Sequence, residues 1–296
     1  MLPTPLIIGD TILIIGTARS RTKEALIPCI ETLKKWGLNV IEGKNLYKKH
    51  NQFAGTDKER AHDLQWAINH KTAKAVLIAG GGYGTLRIID LVNFDYLKII
   101  PKWFIGYSDT TVLHARLLKL NIPCIHATMA FQFSKNVEAT NSLKQILFNQ
   151  TYNYKVPLNK LNKKGTTTSK IIGGNLSLIY ALSGSIDELD TDNKILFLED
   201  LDEQLYHIDR MILQLKRSGK LKKLKGLIVG GMTDMKDNAV PFGKTAEEII
   251  FDAVKEYNYP VCFNFPAGHV EENLALFFGK KAELTITNKK VNLIYK

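Results

Sequence analysis

The stretch AVLIAGGGYG, residues 75–84, decides the fold. A short run of apolar, β-prone residues ends in clustered glycines, which is typical of a buried strand that stops at a tight turn. Thr11–Ile15 and Trp103–Ile105 are similar short apolar runs. Apolar residues recur at helical spacing in the intervening stretches Lys23–Trp36 and Thr56–Ile68, and the second stretch begins with a capping-box pattern. Because strands alternate with helices, the sequence predicts an α/β fold with a mostly parallel, doubly wound sheet.

Ligands bind such sheets at the carboxyl ends of the strands. Two loops of this chain follow apolar runs directly, namely Gly80–Gly84 and Gly106–Asp109. We therefore expect both loops at the same edge of the sheet. A further helix is predicted from about Thr85 to Val92, and another from about Thr110 to Leu118.

The second half carries more strand signal than the first, and one convincing helical stripe with Ile208, Met211, Ile212 and Leu215 at helical spacing. The expected organisation is a doubly wound α/β domain over 1–135, a linker or crossover over 136–168, and a smaller α+β domain rich in strands over 169–296. The expected strands of the last part are Lys170–Ile172, Ile195–Leu198, Gly226–Val229, Val261–Phe263, Ala282–Ile286 and Val291–Ile294.

The composition is that of a globular protein. The chain has 296 residues, of which 45% are hydrophobic and 23% charged, which excludes a disordered or low-complexity protein. The net charge of +11 invites a nucleic-acid or anionic partner. Most lysines are scattered, however, and the dense stretch Lys216–Lys225 fits a solvated helix end. We expect no nucleic-acid partner, although a non-catalytic basic binding module stays the alternative from another class.

The cysteines and the apolar runs indicate where the protein works. Cys29, Cys124 and Cys262 lie far apart and form no disulfide framework, as in proteins of reducing compartments. The apolar N-terminal stretch lacks a basic start and is interrupted by Pro3 and Pro5, and no apolar run reaches 18 residues. These features predict a cytoplasmic protein without a membrane partner.

The segment WFIGYSDT, residues 103–110, is the first candidate for chemistry. A serine on a sharp turn between a strand and a helix resembles a nucleophile elbow, although G-x-S-x-G here ends in Thr110. The alternative is a helix N-cap, which Ser and Asp favour, and on this segment alone the N-cap is the better interpretation.

Other segments offer supporting groups, each weak when taken alone. The glycine run lets backbone N–H groups approach an anion such as an oxyanion, whereas G-x-G-x-x-G fails because position 85 is threonine. Arg87 could clamp a carboxylate or face solvent. Glu199 and Asp200 follow a strand directly, and His269 lies on a turn shaped by proline and glycine. His114 and His126 are rival bases.

Metal and phosphate sites have little support. There is no HExxH, no cysteine pair and no EF-hand loop. The segment FGKT, residues 242–245, imitates the end of a P-loop, but position 238 is asparagine where that motif needs glycine. We expect neither a metal nor a cofactor.

Taken together, these segments resemble the LD-carboxypeptidase family of serine peptidases, which includes murein tetrapeptide carboxypeptidases and microcin C immunity peptidases. The resemblance runs nearly end to end, and the number and order of its short motifs make it specific. They are GDTI from Gly9, FAGTDKER from Phe53, GGYG from Gly81 followed by Arg87, GYSD from Gly106, GGNL from Gly173, LED from Leu198, YHIDRM from Tyr206, and Gly268-His269 with Asn273.

The resemblance implies a role for each matching residue. Ser108 would be the nucleophile, His269 the general base and Glu199 the residue that orients it. The oxyanion would be bound by backbone amides of Gly82 and Asp109. Substrate would contact Gly81, Tyr83 and Arg87.

The resemblance also implies a substrate class and an assembly. The expected activity is release of the terminal D-alanine from a murein-derived tetrapeptide by cleavage of an L,D-amide bond, and the expected assembly is a homodimer. The resemblance further implies that residues 1–135 form a Rossmann-like domain bearing Ser108, and that residues 169–296 supply Glu199 and His269. The same chemistry on a microcin C-like aminoacyl-nucleotide conjugate is the alternative. The chain departs from the family at residues 126–129, HATM instead of the frequent HGPM, and at residues 16–20, GTARS, which lacks the usual Ala-Pro-Ser. Both departures concern the substrate pocket.

Overall fold

The computed structural model describes residues 2–296, which fold into two compact units. The first unit comprises the residues up to Tyr152 together with Leu274–Phe277. The second comprises Asn153–Asn273 and Phe278–Lys296. The chain therefore leaves the first unit, returns to it for four residues and leaves it again.

A six-stranded sheet forms the centre of the first unit. Its order is β10-β5-β4-β3-β1-β2, and β1 to β5 pair in parallel. The side chains of β1, β3 and β4 are almost all buried, as expected for strands covered on both faces. The strands are β1 (Thr11–Ile15), β2 (Asn39–Glu42), β3 (Ala73–Ile78), β4 (Trp103–Gly106), β5 (Cys124–His126) and β10 (Leu276–Phe278).

Four α-helices accompany this sheet, and side-chain caps mark where three of them begin. Thr22 caps α1, Asn136 caps α4, and Thr56 with Glu59 forms a complete capping box at α2. Short 3-10 helices cover Thr85–Arg87, Ile89–Leu91, Asp95–Lys98, Ser108–Thr110 and Ala130–Gln132. The α-helices are α1 (Lys23–Lys35), α2 (Asp57–Asn69), α3 (Thr111–Lys119) and α4 (Val137–Leu147).

The second unit is built on a mixed sheet of order β12-β11-β6-β7-β8-β9. Strands β6 to β9 pair in parallel, whereas β11 pairs antiparallel with β6 and β12. Three helices join them, of which α6 buries the expected stripe of four apolar residues. The elements are β6 (Gly165–Asn175), α5 (Leu176–Ala181), β7 (Ile195–Leu201), α6 (Leu205–Arg217), β8 (Gly226–Thr233), α7 (Ala246–Val254), β9 (Val261–Cys262), β11 (Lys281–Ile286) and β12 (Val291–Tyr295).

The predicted fold class is confirmed: the chain is α/β, with a mostly parallel first sheet and a second sheet that mixes both pairings. Local expectations differ in two places. The single helix expected over Thr85–Val92 is wrong, because Ile88 lies between two separate 3-10 turns and Val92 is already extended. The stretch 136–168, expected as a linker or crossover, contains α4 and the beginning of β6.

A fully buried arginine connects two loops of the first unit. Arg60, on α2, has no solvent exposure and donates to the backbone oxygens of Thr17 at 3.1 Å and Gly55 at 2.7 Å. It also pairs with Asp57 at 2.6 Å, and its guanidinium lies 4.6 Å from the centre of the Phe53 ring. Because both hydrogen bonds are buried, the Arg60 side chain holds the loop that follows β1 and the loop that precedes α2.

We expect Arg60→Met to lower the free energy of unfolding by about 3 kcal/mol, since it leaves buried carbonyls without a donor. Urea unfolding followed by circular dichroism measures the change. Lys98→Met is the matched control, because Lys98 and its partner Asp95 are both exposed. That substitution should stay within about 0.5 kcal/mol of the wild type. Equal effects of the two substitutions would contradict the role assigned to Arg60.

Candidate active site

Ser108 lies directly after β4 in a backbone conformation that is unusual for a residue with a side chain. Its φ angle is +61°, and the residue is buried at the start of the 3-10 turn that leads into α3. Such left-handed geometry costs about 1–3 kcal/mol and persists where the surroundings enforce it, often at functional sites. The backbone thus presents this serine as a nucleophile elbow would. The N-cap alternative has no support here, since no side-chain cap bond is made at this helix start.

The glycine run adjoins Ser108. A Cβ atom added to Gly81 would lie 3.1 Å from Cβ and 3.2 Å from Oγ of Ser108, so the absence of a side chain lets the two loops meet. Asp109 fixes this arrangement, because its carboxylate accepts the backbone N–H of Thr85 at 2.8 Å. Burial raises the pKa of Asp109, and the hydrogen bonds from Thr85 oppose that shift. The residues predicted as oxyanion donors, Gly82 and Asp109, therefore belong to two loops that are bonded together.

Arg87 and Tyr83 make contacts that the sequence did not suggest. The Arg87 guanidinium binds the Asp57 carboxylate with both Nε and Nη2, at 3.0 and 2.7 Å, and this pairing raises its pKa. Tyr83 is 44% exposed, and its ring centre lies 6.2 Å from that of Phe53. Arg87 is thus engaged with an aspartate of its own chain, whereas Tyr83 offers an exposed aromatic surface.

In the second unit, the structure brings Glu199 and His269 together. Nδ1 of His269 lies 2.6 Å from Oε2 of Glu199, and the backbone N–H of His269 donates to the same oxygen at 3.1 Å. Glu199 is fully buried near the carboxyl end of β7, where it is in register with Asn175 of β6. A carboxylate on Nδ1 holds the imidazole in the tautomer that leaves Nε2 to exchange protons.

The turn that carries His269 is shaped around Glu199. Gly268 has a φ angle of +98°, and a Cβ atom there would lie 2.6 Å from Cβ of Glu199. Its N–H donates to Oδ1 of Asn273 at 2.8 Å, and the carbonyl of His269 accepts from the hydroxyl of Thr233 at 2.6 Å. The backbone on both sides of His269 is therefore held, and only glycine fits next to the carboxylate.

Comparisons with known proteins decide the family. Residues 12–127 match the model of the LD-carboxypeptidase N-terminal domain, and residues 168–284 match that of the LD-carboxypeptidase C-terminal domain. The chain is 33% identical over 293 residues to the probable murein peptide carboxypeptidase of Bacillus subtilis (strain 168), covering 95% of this chain and 90% of that protein. The chain belongs to the LD-carboxypeptidase family. It is a peptidase, which excludes the alternative of a non-catalytic binding module.

Two further similarities cover almost the whole LD-carboxypeptidase chain. A crystal structure of muramoyltetrapeptide carboxypeptidase from Oxalobacter formigenes has a TM-score of 0.88 at 27% identity, covering 97% of this chain and 98% of that one. The microcin C7 self-immunity protein of Escherichia coli is 25% identical over 331 residues, with 99% of this chain and 95% of that protein covered. Both named branches of the family thus have relatives among the matches.

The electrostatics of the Glu199–His269 pair favour a charged imidazole. Burial alone would lower the pKa of His269, but the neighbouring Glu199 carboxylate, its hydrogen bond and the charge of Asp200 together raise it above its usual value. Burial, followed by the charge of Glu199, raises the pKa of Asp200 to about 6. The pair is therefore suited to hold a proton that arrives on the imidazole.

Several other candidates from the sequence lie elsewhere. His114 is fully buried within α3, and burial lowers its pKa to about 3, so it is a neutral core residue. His126 ends β5, also fully buried, with its ring 5.7 Å from that of Tyr107. The P-loop imitation ends at Thr245, which is the N-cap of α7. The basic stretch 216–225 is partly neutralised by surface ion pairs of Lys216, Lys220 and Lys223 with acidic side chains.

Two supporting residues of the site escaped the sequence analysis as individuals. Asp57 engages Arg87, and Asn175 donates its amide to Asp200 at 2.9 Å while capping α5. Both lie inside motifs quoted above, GTDKER and GGNL, but no spacing rule connects either residue with its partner.

None of the helices described in residues 2–296 has the length and apolar character needed to cross a membrane.

We expect Glu199→Gln to lower the pKa of His269, because it removes the partner that raises it most while burial remains. An NMR titration of the imidazole signals measures the shift. Glu203→Gln is the matched control, since Glu203 makes an equally short 2.6 Å contact with Nδ1 of another histidine, His207. This control should leave the pKa of His269 unchanged. An unaltered titration of His269 in Glu199→Gln would contradict the electrostatic role of Glu199.

Proposed function

We propose that this LD-carboxypeptidase is a serine peptidase that releases the terminal D-alanine of a murein tetrapeptide, by hydrolysis of the amide between an L-centre and a D-centre. Ser108 is the nucleophile, His269 the general base and Glu199 the residue that orients and stabilises the imidazole. The substrate class is taken from the relatives described above. The Bacillus protein is named a probable murein peptide carboxypeptidase, and the Oxalobacter protein a muramoyltetrapeptide carboxypeptidase.

The proposed reaction proceeds in two halves. His269 takes the proton of Ser108 as its Oγ attacks the scissile carbonyl, and the resulting oxyanion is bound by the amides of Gly82 and Asp109. The imidazolium then donates this proton to the leaving amine, D-alanine departs and an ester on Ser108 remains. A water molecule, deprotonated by His269, hydrolyses the ester and regenerates the serine.

The single observation that carries the proposal is the 2.6 Å contact between Nδ1 of His269 and the buried Glu199. A buried carboxylate next to an imidazole stabilises the imidazolium that each half of the reaction creates. The left-handed backbone of Ser108 adds support. A glycine would adopt this conformation without strain, so a serine at this position indicates a use for its hydroxyl group. The mechanism requires Oγ of Ser108 to reach Nε2 of His269.

The same proposal includes a cellular setting. Cys29, Cys124 and Cys262 are all free and buried, which is consistent with a cytoplasmic protein that recycles murein peptides. The homodimer is proposed on the family resemblance alone. Analytical ultracentrifugation of the purified chain would test it.

We expect Ser108→Ala to reduce D-alanine release from a murein tetrapeptide by several orders of magnitude, because the nucleophile is lost. Mass spectrometry of the digest measures the loss of one alanine from the peptide. Ser183→Ala is the control. Its hydroxyl, on the second unit, donates to the carbonyl of Ile179 at 3.4 Å and to Oε1 of Gln214 at 3.3 Å, and this variant should retain wild-type turnover. Wild-type rates in Ser108→Ala would refute the mechanism.

The alternative substrate is an aminoacyl-nucleotide conjugate. The alignment with the Escherichia coli immunity protein spans 331 positions, whereas this chain has 296 residues, so the chain lacks segments present in that relative. We therefore expect the tetrapeptide to be turned over faster than an aminoacyl sulfamoyl adenosine. Parallel kinetics with both compounds decide between them, and a preference for the nucleotide would overturn the murein assignment.

A further inference from the structure

The three consecutive glycines after β3 each lie close to a different side chain. A Cβ atom on Gly80 would lie 2.3 Å from Nε of Arg21, and one on Gly82 would lie 2.5 Å from Cδ of Arg19. Between them, Gly81 lies against Ser108. Because consecutive Cα atoms are about 3.8 Å apart, Arg21 and Arg19 contact the same short glycine run that Ser108 contacts.

The loop that carries these arginines is held firmly. The backbone N–H of Arg19 donates to the carbonyl of Gly81 at 3.3 Å, and that of Ser20 donates to Gln52 at 2.9 Å. The Arg21 guanidinium lies 4.0 Å from the centre of the Phe131 ring. Backbone pairing therefore positions the loop, and stacking on Phe131 positions the Arg21 side chain before any ligand arrives.

Neither arginine has an acidic partner. The other three arginines of the first unit, Arg60, Arg87 and Arg116, each pair with an aspartate at 2.6–2.7 Å. In residues 2–296, by contrast, Arg19 and Arg21 form no ion pair, and the buried Nε of Arg21 has no hydrogen-bond acceptor. Burial and then the charge of Arg19 lower the pKa of Arg21. Two guanidiniums whose charges interact, neither of them paired with a carboxylate, form a site suited to an anion.

We propose that Arg21, assisted by Arg19, binds the C-terminal carboxylate of the peptide whose last amide Ser108 attacks. This inference rests on the proposed function, and it assigns to these two arginines the specificity of the peptidase for a free C-terminus. The carboxylate of the leaving residue is separated from the scissile carbonyl by only one amide nitrogen and one Cα atom, so the group that binds it must belong to the loops around the nucleophile. Arg87, the residue that the sequence suggested for this task, already engages Asp57 with two of its nitrogens.

The position of these arginines also explains a departure from the family pattern. Arg19 lies in the GTARS loop, at residues 16–20, where the family more often has Ala-Pro-Ser, and Arg21 follows directly. The departure thus changes the loop that faces the glycine run.

The test measures binding rather than turnover, with full-length Ser108→Ala protein and calorimetry. The two probes are a murein tetrapeptide with a free C-terminal carboxylate and the same peptide with a C-terminal amide. We expect the free acid to bind at least about 10-fold more tightly than the amide, since charge-assisted bidentate hydrogen bonds are lost in the amide. Adding Arg21→Gln should bring this ratio close to one without weakening amide binding, and adding Arg19→Gln should reduce it.

Two further variants make the test specific. Gly80→Ala should act like Arg21→Gln, because its methyl group would displace the flexible end of Arg21. Lys135→Gln is the matched control, since Lys135 lies 5.6 Å from the same Phe131 ring, and it should preserve the ratio. A ratio that survives Arg21→Gln, or an equal loss for acid and amide, would overturn the inference. Failure of the wild type to release D-alanine would instead refute the proposed function, whereas the binding ratio would still report on the arginines.

Discussion

The left-handed backbone of Ser108 is the constraint on which the first unit's site depends. A residue with a side chain adopts this conformation at a cost of about 1–3 kcal/mol, which the buried strand before it and the helix after it must offset. The turn also needs space, and Gly81 provides it by having no side chain where Ser108 lies. Asp109 then bonds the two loops through Thr85. The geometry of one serine thus accounts for the glycine opposite it and the acid beside it.

A comparable division of roles holds in the second unit. Glu199 is fixed on a strand, whereas His269 lies on a turn whose glycine fits against the carboxylate. The acid is rigid because β7 is paired on both sides, and the base is positioned by backbone bonds before and after it. The carboxylate on the sheet stays fully buried, while the imidazole that contacts it lies on the more exposed turn.

Sequence patterns predicted the parts of this molecule that depend on local chemistry. Apolar runs located β1, β3 and β4, and the capping box at Thr56 located the start of α2. A second capping box, Thr245 with Glu248, marks the start of α7. Its pattern is present in the sequence, but the segment was compared only with a P-loop, because a glycine and a lysine precede Thr245.

Other features depend on contacts between distant segments, which no local pattern encodes. The 3-10 turns after Gly84 follow from Asp109 holding the N–H of Thr85, and the partner of Arg87 lies 30 residues away along the chain. Single motifs around Ser108, Glu199 and His269 were weak, and the resemblance to a family was needed to select them. The contact of Glu199 with His269 spans 70 residues and is visible only in the fold.

The brief return of Leu274–Phe277 to the first unit has a consequence for biosynthesis. Strand β10 is the neighbour of β5 at the edge of the first sheet, yet more than a hundred residues of the second unit separate the two strands. While the ribosome makes that unit, the backbone groups of β5 on this side have no strand to pair with. A nascent chain stalled before residue 276 therefore exposes an unpaired strand edge, and the first sheet is completed only after residues 153–273 of the second unit have been translated.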